Sequence, residues 1–289
     1  MLDLARYMEE KRARVDAALG RYLPSETERP TRPHEAMRYS LFCGGKRIRP
    51  ILCLASAEAV GKPDDVAMIP AAALECLHTY TLIHDDLPSM DNDDLRRGKP
   101  TSHKVFGEAN AILAGDSLLT LAFELLAQTP EAGCLALELA KAAGSRGVAG
   151  GQFEDLASEG KEPDADQLKF IHIHKTAKLI QAACRMGGIA AGAGESALEA
   201  LGCYGDRIGI AFQVADDILN ATSTPEALGK AVGSDAARGK MTYVALYGIE
   251  RARREAEALA AEAIAALKGL QSSVEPLAAL ARFIVERNT

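Results

Sequence analysis

Residues 83–98 read IHDDLPSMDNDDLRRG. Asp85, Asp86, Asp91, Asp93 and Asp94 fall within ten positions, and Arg96 and Arg97 follow at once. An apolar run at 71–83, AAALECLHTYTLI, leads into them and carries helical rather than alternating periodicity. In an unbroken helix Asp85 and Asp91, six residues apart, point about 240° away from one another. Pro88 removes a backbone donor and crowds the preceding turn, so the helix is expected to end here. The chain can then fold back and gather the carboxylates at one point. So much like charge in one place needs cations. An all-oxygen ligand set favours Mg²⁺ or Ca²⁺. The glycine and terminal glutamate of an EF-hand loop are missing. A solvated acidic loop that merely closes a helix accounts for the run equally well when it is taken alone.

Outward from this stretch, nearly every segment between glycine and proline breaks has the same helical pattern. The segments are 3–19, 34–43, 50–60, 67–86, 108–128, 131–150, 166–187, 195–221 and 248–285. Strand-like alternation is almost missing, and no linker is long enough to divide the 289 residues. The expectation is an all-α fold, one large helical bundle around a central cavity, with residues 1–289 as a single domain. Composition agrees: hydrophobic residues make up 48%, aromatics only 5%, and tryptophan is absent. The net charge of −7 disfavours nucleic acid as the main partner. Six scattered cysteines without C-x-x-C spacing read as buried apolar groups in a reducing compartment. The first twenty residues mix acids and bases without an apolar signal core, and no uninterrupted apolar run reaches the ~18 residues of a membrane span. A cytoplasmic protein without stable membrane insertion is expected.

A second acidic pair lies in FQVADDILN, residues 212–220. Asp216 and Asn220 are four apart and share a helix face, with Phe212 and Gln213 one turn earlier. Adjacent carboxylates on an apolar helix are costly to bury unless paired or metal-bound. Two helices that each carry an Asp-Asp pair suggest carboxylates on opposing walls of one cavity. Cationic residues complement them in GGKRIRP (44–50), LRRG (95–98), HKTAK (174–178), LGK (228–230) and RGK (238–240). No G-x-x-x-x-G-K-[ST] is present, so this is no P-loop nucleotide site. Gly44-Gly45 lets a backbone approach a ligand, and Lys46, Arg47 and Arg49 supply the charges that match phosphate oxygens. Together the acidic and basic sets suggest a site for two diphosphates, one held through Mg²⁺ and one held directly.

At this level of detail the chain resembles the trans-prenyl diphosphate synthases, specifically the bacterial short-chain farnesyl/geranylgeranyl type. The likeness rests on GGKRIRP, LHTYTLIHDDLPSMDNDDLRRGKPTSH, AGDSLL, GGQFEDL, HKTAKLI, FQVADDILN, LGKAVGSDAARGKMTY and FIVERN, which together span nearly the whole chain. It implies a transferase, an all-α homodimer with three Mg²⁺ per site. Asp85 and Asp91 would bind metal with Asp86 in support, and Asp216 would bind the third ion with Asp217 nearby. Arg96, Lys175, Thr176, Gln213, Lys230 and Lys240 would hold the allylic diphosphate (dimethylallyl or geranyl). Lys46, Arg49, His78 and Arg97 would hold isopentenyl diphosphate. The family's chemistry is ionisation of the allylic diphosphate, attack by the isopentenyl double bond and loss of a proton to the released diphosphate.

Product length is expected to be set at Tyr80 and Thr81, roughly 6–8 Å down the helix from the carboxylates at ~1.5 Å per residue. Tyr80 resembles the aromatic floor of bacterial farnesyl synthases and points to a C15 product. If it is only core packing, the floor lies deeper and the product is C20. Asn220 departs from the family's D-D-x-x-D pattern, keeping an oxygen but losing a charge. A terpene cyclase would not need Gly44–Arg49 and Arg97, an inactive partner subunit tends to lose aspartates, and a metal-buffering protein would not explain the ordered cationic motifs.

Overall fold

A computed structural model describes residues 2–162, 164–222, 240–270 and 272–286. The described residues form a bundle of helices: α1 (Leu4–Tyr22), α2 (Thr31–Leu41), α3 (Ile48–Ala59), α4 (Met68–Asp85), α5 (Ser102–Phe106), α6 (Glu108–Leu126), α7 (Ala132–Ala143), α8 (Val148–Ser158), α9 (Ala165–Ile171), α10 (Lys178–Ala190), α11 (Glu195–Thr222), α12 (Tyr243–Tyr247), α13 (Ile249–Ala266) and α14 (Glu275–Glu286). The all-α expectation holds.

Helix α4 explains the architecture. Its apolar residues surround it: Pro70 to Leu77, Thr79 and Ile83 are all buried. A helix apolar on every side belongs at the centre, and α4 packs against α1, α2, α3, α6 and α10. Complete burial of Leu74 and of Leu77 contributes about 2 kcal/mol each. The segments Asp64–Asp85 and Glu108–Leu126 are long and apolar enough to cross a membrane by length and composition, which a test for uninterrupted runs does not show. Here they are neighbours that bury much of that surface against each other and the rest of the bundle.

Three departures from the sequence pattern have local causes. The run 131–150 is two helices, because Gly144 and Gly147 interrupt it and Gly147 adopts φ −137°, ψ −134° before α8 starts. The run 248–285 also divides, at a short 3₁₀ turn, Leu267–Gly269, before Pro276 enters the first turn of α14. Between α9 and α10 the chain stays helical but widens into one π-helical turn, His172–Ala177. Such turns are rare and gather at functional sites, and this one carries Lys175 and Thr176. Gly151 of α8 lies against it so closely that a Cβ there would sit 2.6 Å from the Lys175 Cα.

The acidic stretch also forms a minimal antiparallel hairpin, β1 (Leu95–Arg96) with β2 (Lys99–Pro100). Arg97 and Gly98 close it with φ of 53° and 74°, the paired left-handed geometry of a type I′ turn. Two residues per strand are too few for alternation to reveal.

Candidate active site

Asp85 is the last residue of α4, and Asp86 caps it. The expected fold-back is present: the Asp91 amide donates to the Asp85 carbonyl at 2.9 Å and the Asn92 amide to the Leu87 carbonyl at 3.0 Å. The first and last aspartates of the motif are thereby tied together through the backbone. Asp86 takes a separate position. It is 3% exposed and accepts from Arg96 Nε at 3.0 Å and from Arg96 Nη2. Arg96 also reaches Asp93 at 3.5 Å.

The network around Asp85 and Asp91 includes two residues to which the sequence reading assigned no role. Gln152 Nε2 donates to Asp85. Asp155 accepts from Lys175 Nζ at 2.6 Å and Lys240 Nζ at 3.3 Å, and Lys240 also donates to both oxygens of Asp91 at 3.1 Å. Burial opposes ionisation of Asp155, yet the two ammonium groups hold its carboxyl below the usual range. Burial likewise opposes the charge on Lys240, and Asp155 and Asp91 raise its pKa regardless. Gln152 and Asp155 are three apart and share a face of α8, so GGQFEDL held the available signal. Their partners lie far away in sequence.

The second pair sits on α11. Asp217, 3% exposed, accepts from Gln213 Nε2 at 3.1 Å and the Tyr243 amide at 2.7 Å, and His172 Nε2 lies 3.3 Å from it. Gln213 in turn accepts from the Thr176 hydroxyl at 2.8 Å. Asp216 and Asn220 are half-buried on the same helix, and Phe212, one turn before Asp216, lines a neighbouring cavity. Lys230 lies outside the described residues.

Two cavities meet here. One, of about 610 Å³, is mostly apolar, with Leu82, Leu87, Met90, Val148, Leu156 and Leu179 in its wall, and Asp85, Gln152, Lys175 and Thr176 at its polar end. Tyr80 and Thr81 line it too. The other, of about 570 Å³, is basic and lined by Arg12, Lys46, Arg47, Arg49, His78 and Arg97. Arg49 and His78 belong to both. His78 Nε2 accepts from Arg49 Nη1 at 3.3 Å, which places the ring proton on Nδ1. Burial, then Arg49 and Arg97, push the His78 pKa well below the usual histidine range, so the ring is neutral at pH 7.

The three charges of GGKRIRP divide. Arg47 is committed to the fold: it donates to Asp16 at 2.8 Å, Glu75 at 2.6 Å and the Leu41 carbonyl at 2.6 Å. Lys46 and Arg49 line the basic cavity. The guanidinium of Arg97 lies over Gly45, where a Cβ would come within 2.6 Å of its Cζ, and donates to the Gly44 carbonyl. What approaches the paired glycines is thus a side chain of the acidic stretch's own hairpin.

Comparison with known proteins fits this geometry. Residues 31–280 match the family model described as polyprenyl synthetase. The chain belongs to the polyprenyl synthetase family. It is 48% identical over 297 residues to geranylgeranyl pyrophosphate synthase 11, chloroplastic, of Arabidopsis thaliana, covering 99% of this chain and 83% of that one. Among solved structures it resembles an FPP/GFPP synthase from Zymomonas mobilis at 38% identity and TM-score 0.85, over 98% of this chain and 99% of the other. It also resembles geranylgeranyl pyrophosphate synthetase from Pyrococcus horikoshii at 34% identity and TM-score 0.88, over 98% of each. These relatives come from a plant, a bacterium and an archaeon, so the likeness reaches prenyl diphosphate synthases broadly.

The donor set suits the metal that the motifs imply. Asp85 and Asp91 are oxygen donors tied to each other through the backbone. Among the described residues, no three His, Cys, Asp or Glu side chains converge as a ready-made ion cage. Mg²⁺ typically takes one or two carboxylates and completes its shell with water and substrate phosphate, and Asp85 and Asp91 are two such donors.

Proposed function

We propose that this prenyltransferase condenses isopentenyl diphosphate with dimethylallyl and geranyl diphosphates and releases farnesyl diphosphate, C15. The observation that carries the reaction is the junction of the two cavities at Arg49 and His78. One cavity offers an apolar trough lined also by the Asp85 carboxylate and the Lys175 ammonium, suited to an allylic tail and its diphosphate. The other offers guanidinium and ammonium groups, suited to a second diphosphate held without metal.

Asp85, Asp91 and Asp216 would hold Mg²⁺, three ions per site by the family pattern, and the bound ions would supply electrostatic stabilisation of the departing diphosphate. The chain's own residues do the rest. Lys175 and Lys240 exchange Asp155 for phosphate oxygens, and Thr176, Gln213 and Arg96 complete the allylic site, to which Lys230 is assigned by the family pattern alone. Lys46, Arg49, His78 and Arg97 orient isopentenyl diphosphate so that its double bond faces the cation. The apolar wall keeps water from the cation, and the proton leaves to the diphosphate just released.

The C15 reading rests on Tyr80, whose ring stands in the apolar cavity below Asp85. The relatives' names pull the other way: the Arabidopsis and Pyrococcus proteins are geranylgeranyl synthases. C20 is therefore the second reading, and those names favour it over C15. Incubating the protein with Mg²⁺, isopentenyl diphosphate and dimethylallyl diphosphate tests both. Failure to form any C10–C20 diphosphate rejects the synthase reading, and a C20 product from the wild type rejects C15. Tyr80→Ala is expected to lengthen the product; an unchanged product removes Tyr80 as the floor.

Two further proposals accompany this one. A homodimer follows the family pattern, and Leu113, 58% exposed on α6, is an apolar residue available to such a contact. A reducing, cytoplasmic setting is supported by six free cysteines, four of them buried, and a chain without stable membrane insertion by the packing of its two apolar segments inside the bundle.

A further inference from the structure

Tyr80 does not stand alone in the cavity wall. Its ring meets the His84 ring edge to face, with centroids 4.8 Å apart and planes at 74°. His84 is fixed from the other side. Its Nε2 donates to the Ile112 carbonyl of α6 at 3.1 Å, and Asp116 lies 3.7 Å from the same nitrogen. The ring can reach α6 only because residue 115 is glycine. A Cβ built there would collide with the His84 Nε2 and Cδ2 and come within 3.4 Å of Cε1. Tyr80, His84 and Ile112 all line the apolar cavity.

We propose that His84 and Gly115 are positioning residues for product length. Gly115 opens a slot in α6, His84 fills it, and the His84 ring holds Tyr80 in the one orientation that closes the cavity. The proposal rests on the reading of Tyr80 as the floor. It assigns that floor to a stack across two helices instead of a single side chain. Edge-to-face ring pairs are modest individually, yet a modest bias suffices, because product length is a competition between release and one more condensation.

The experiment is chromatography of products from the purified full chain with isopentenyl and geranyl diphosphates, reading the C15:C20 ratio. His84→Ala frees Tyr80 to swing into the vacated space, and the C20 share is expected to rise about fivefold, the size of one lost ring contact. Gly115→Ala drives the His84 ring from its slot into the cavity, and the chain is expected to stop sooner, with C20 suppressed and, from dimethylallyl diphosphate, C10 accumulating. In a Tyr80→Ala background, His84→Ala is expected to add nothing. A purely structural role for His84 would lower turnover without moving the ratio. If Tyr80→Ala lengthens the product while His84→Ala and Gly115→Ala both keep the wild-type ratio, the stack is overturned and the floor reading survives. If Tyr80→Ala itself changes nothing, the floor reading fails first and the stack with it. Should Gly115→Ala not fold, His84→Ala alone decides.

Discussion

The two Asp-Asp pairs share a plan but are braced differently. In each, the second aspartate is 3% exposed and taken up by the protein, while the first remains half-buried. On α4, Asp86 is braced by a charge, the guanidinium of Arg96 on the hairpin that follows. On α11, Asp217 accepts from an amide side chain and a backbone amide, with the His172 imidazole 3.3 Å away. The doublet is thus divided: one carboxylate stays partly open and its neighbour fixes the wall. The first wall depends on ion pairing and the second on hydrogen bonds to mainly uncharged donors.

The largest expected effect separates the two members of a doublet. Asp85→Ala and Asp216→Ala should each lower kcat/KM about a thousandfold, the scale of removing an electrostatic stabiliser of the departing group. Both should keep a near-native melting temperature. If either retains wild-type turnover with Mg²⁺, that residue is no functional counterpart of the other. Stability should then separate the two walls. Asp86→Ala leaves the Arg96 cation without its main partner and is expected to cost about 3–5 kcal/mol. Asp217→Ala strands weaker donors and should cost about 1–3 kcal/mol. Urea unfolding of both variants measures this, and equal losses would erase the distinction between the braces.

The smallest effect concerns the lysines that brace the first wall through Asp155. The pKa of Asp155 is depressed in the folded state by Lys175 and Lys240, so the carboxylate binds its proton more weakly folded than unfolded. Its contribution is therefore full above the ordinary aspartate value of about 3.9 and fades as pH falls from there through the depressed value. Asp155→Asn should lower the melting temperature at pH 7, and the gap from wild type should narrow below about pH 4. A gap that stays constant with pH would mean that Asp155 acts by packing alone.

How much of this could be read from the sequence follows from the range of each interaction. Helix α4 and its end were legible, because apolar periodicity and Pro88 are local signals. The gathering of Asp85 and Asp91 followed from the same proline. The split at 143–148 was missed because alanine-rich sequence around Gly144 and Gly147 keeps helical spacing across the break. The hairpin at 95–100 was too short to alternate. Asp155 was quoted only as part of a motif, since what gives it a role are two lysines 20 and 85 residues away. Arg47 looked equivalent to Arg49 in sequence. Only the fold shows that Asp16 and Glu75 consume it.

The hairpin turn gives Arg96 and Arg97 different destinations across a single peptide bond. Arg96 enters the acidic wall at Asp86, and Arg97 overhangs Gly44 and Gly45 beside the basic cavity. Their spacing therefore works as a ruler between the two halves of the site. A substitution at either arginine damages one half. An insertion between them would leave every side chain present and still put the halves out of step, since a two-residue turn has no slack to absorb it. In this stretch the number of residues carries as much information as their identity.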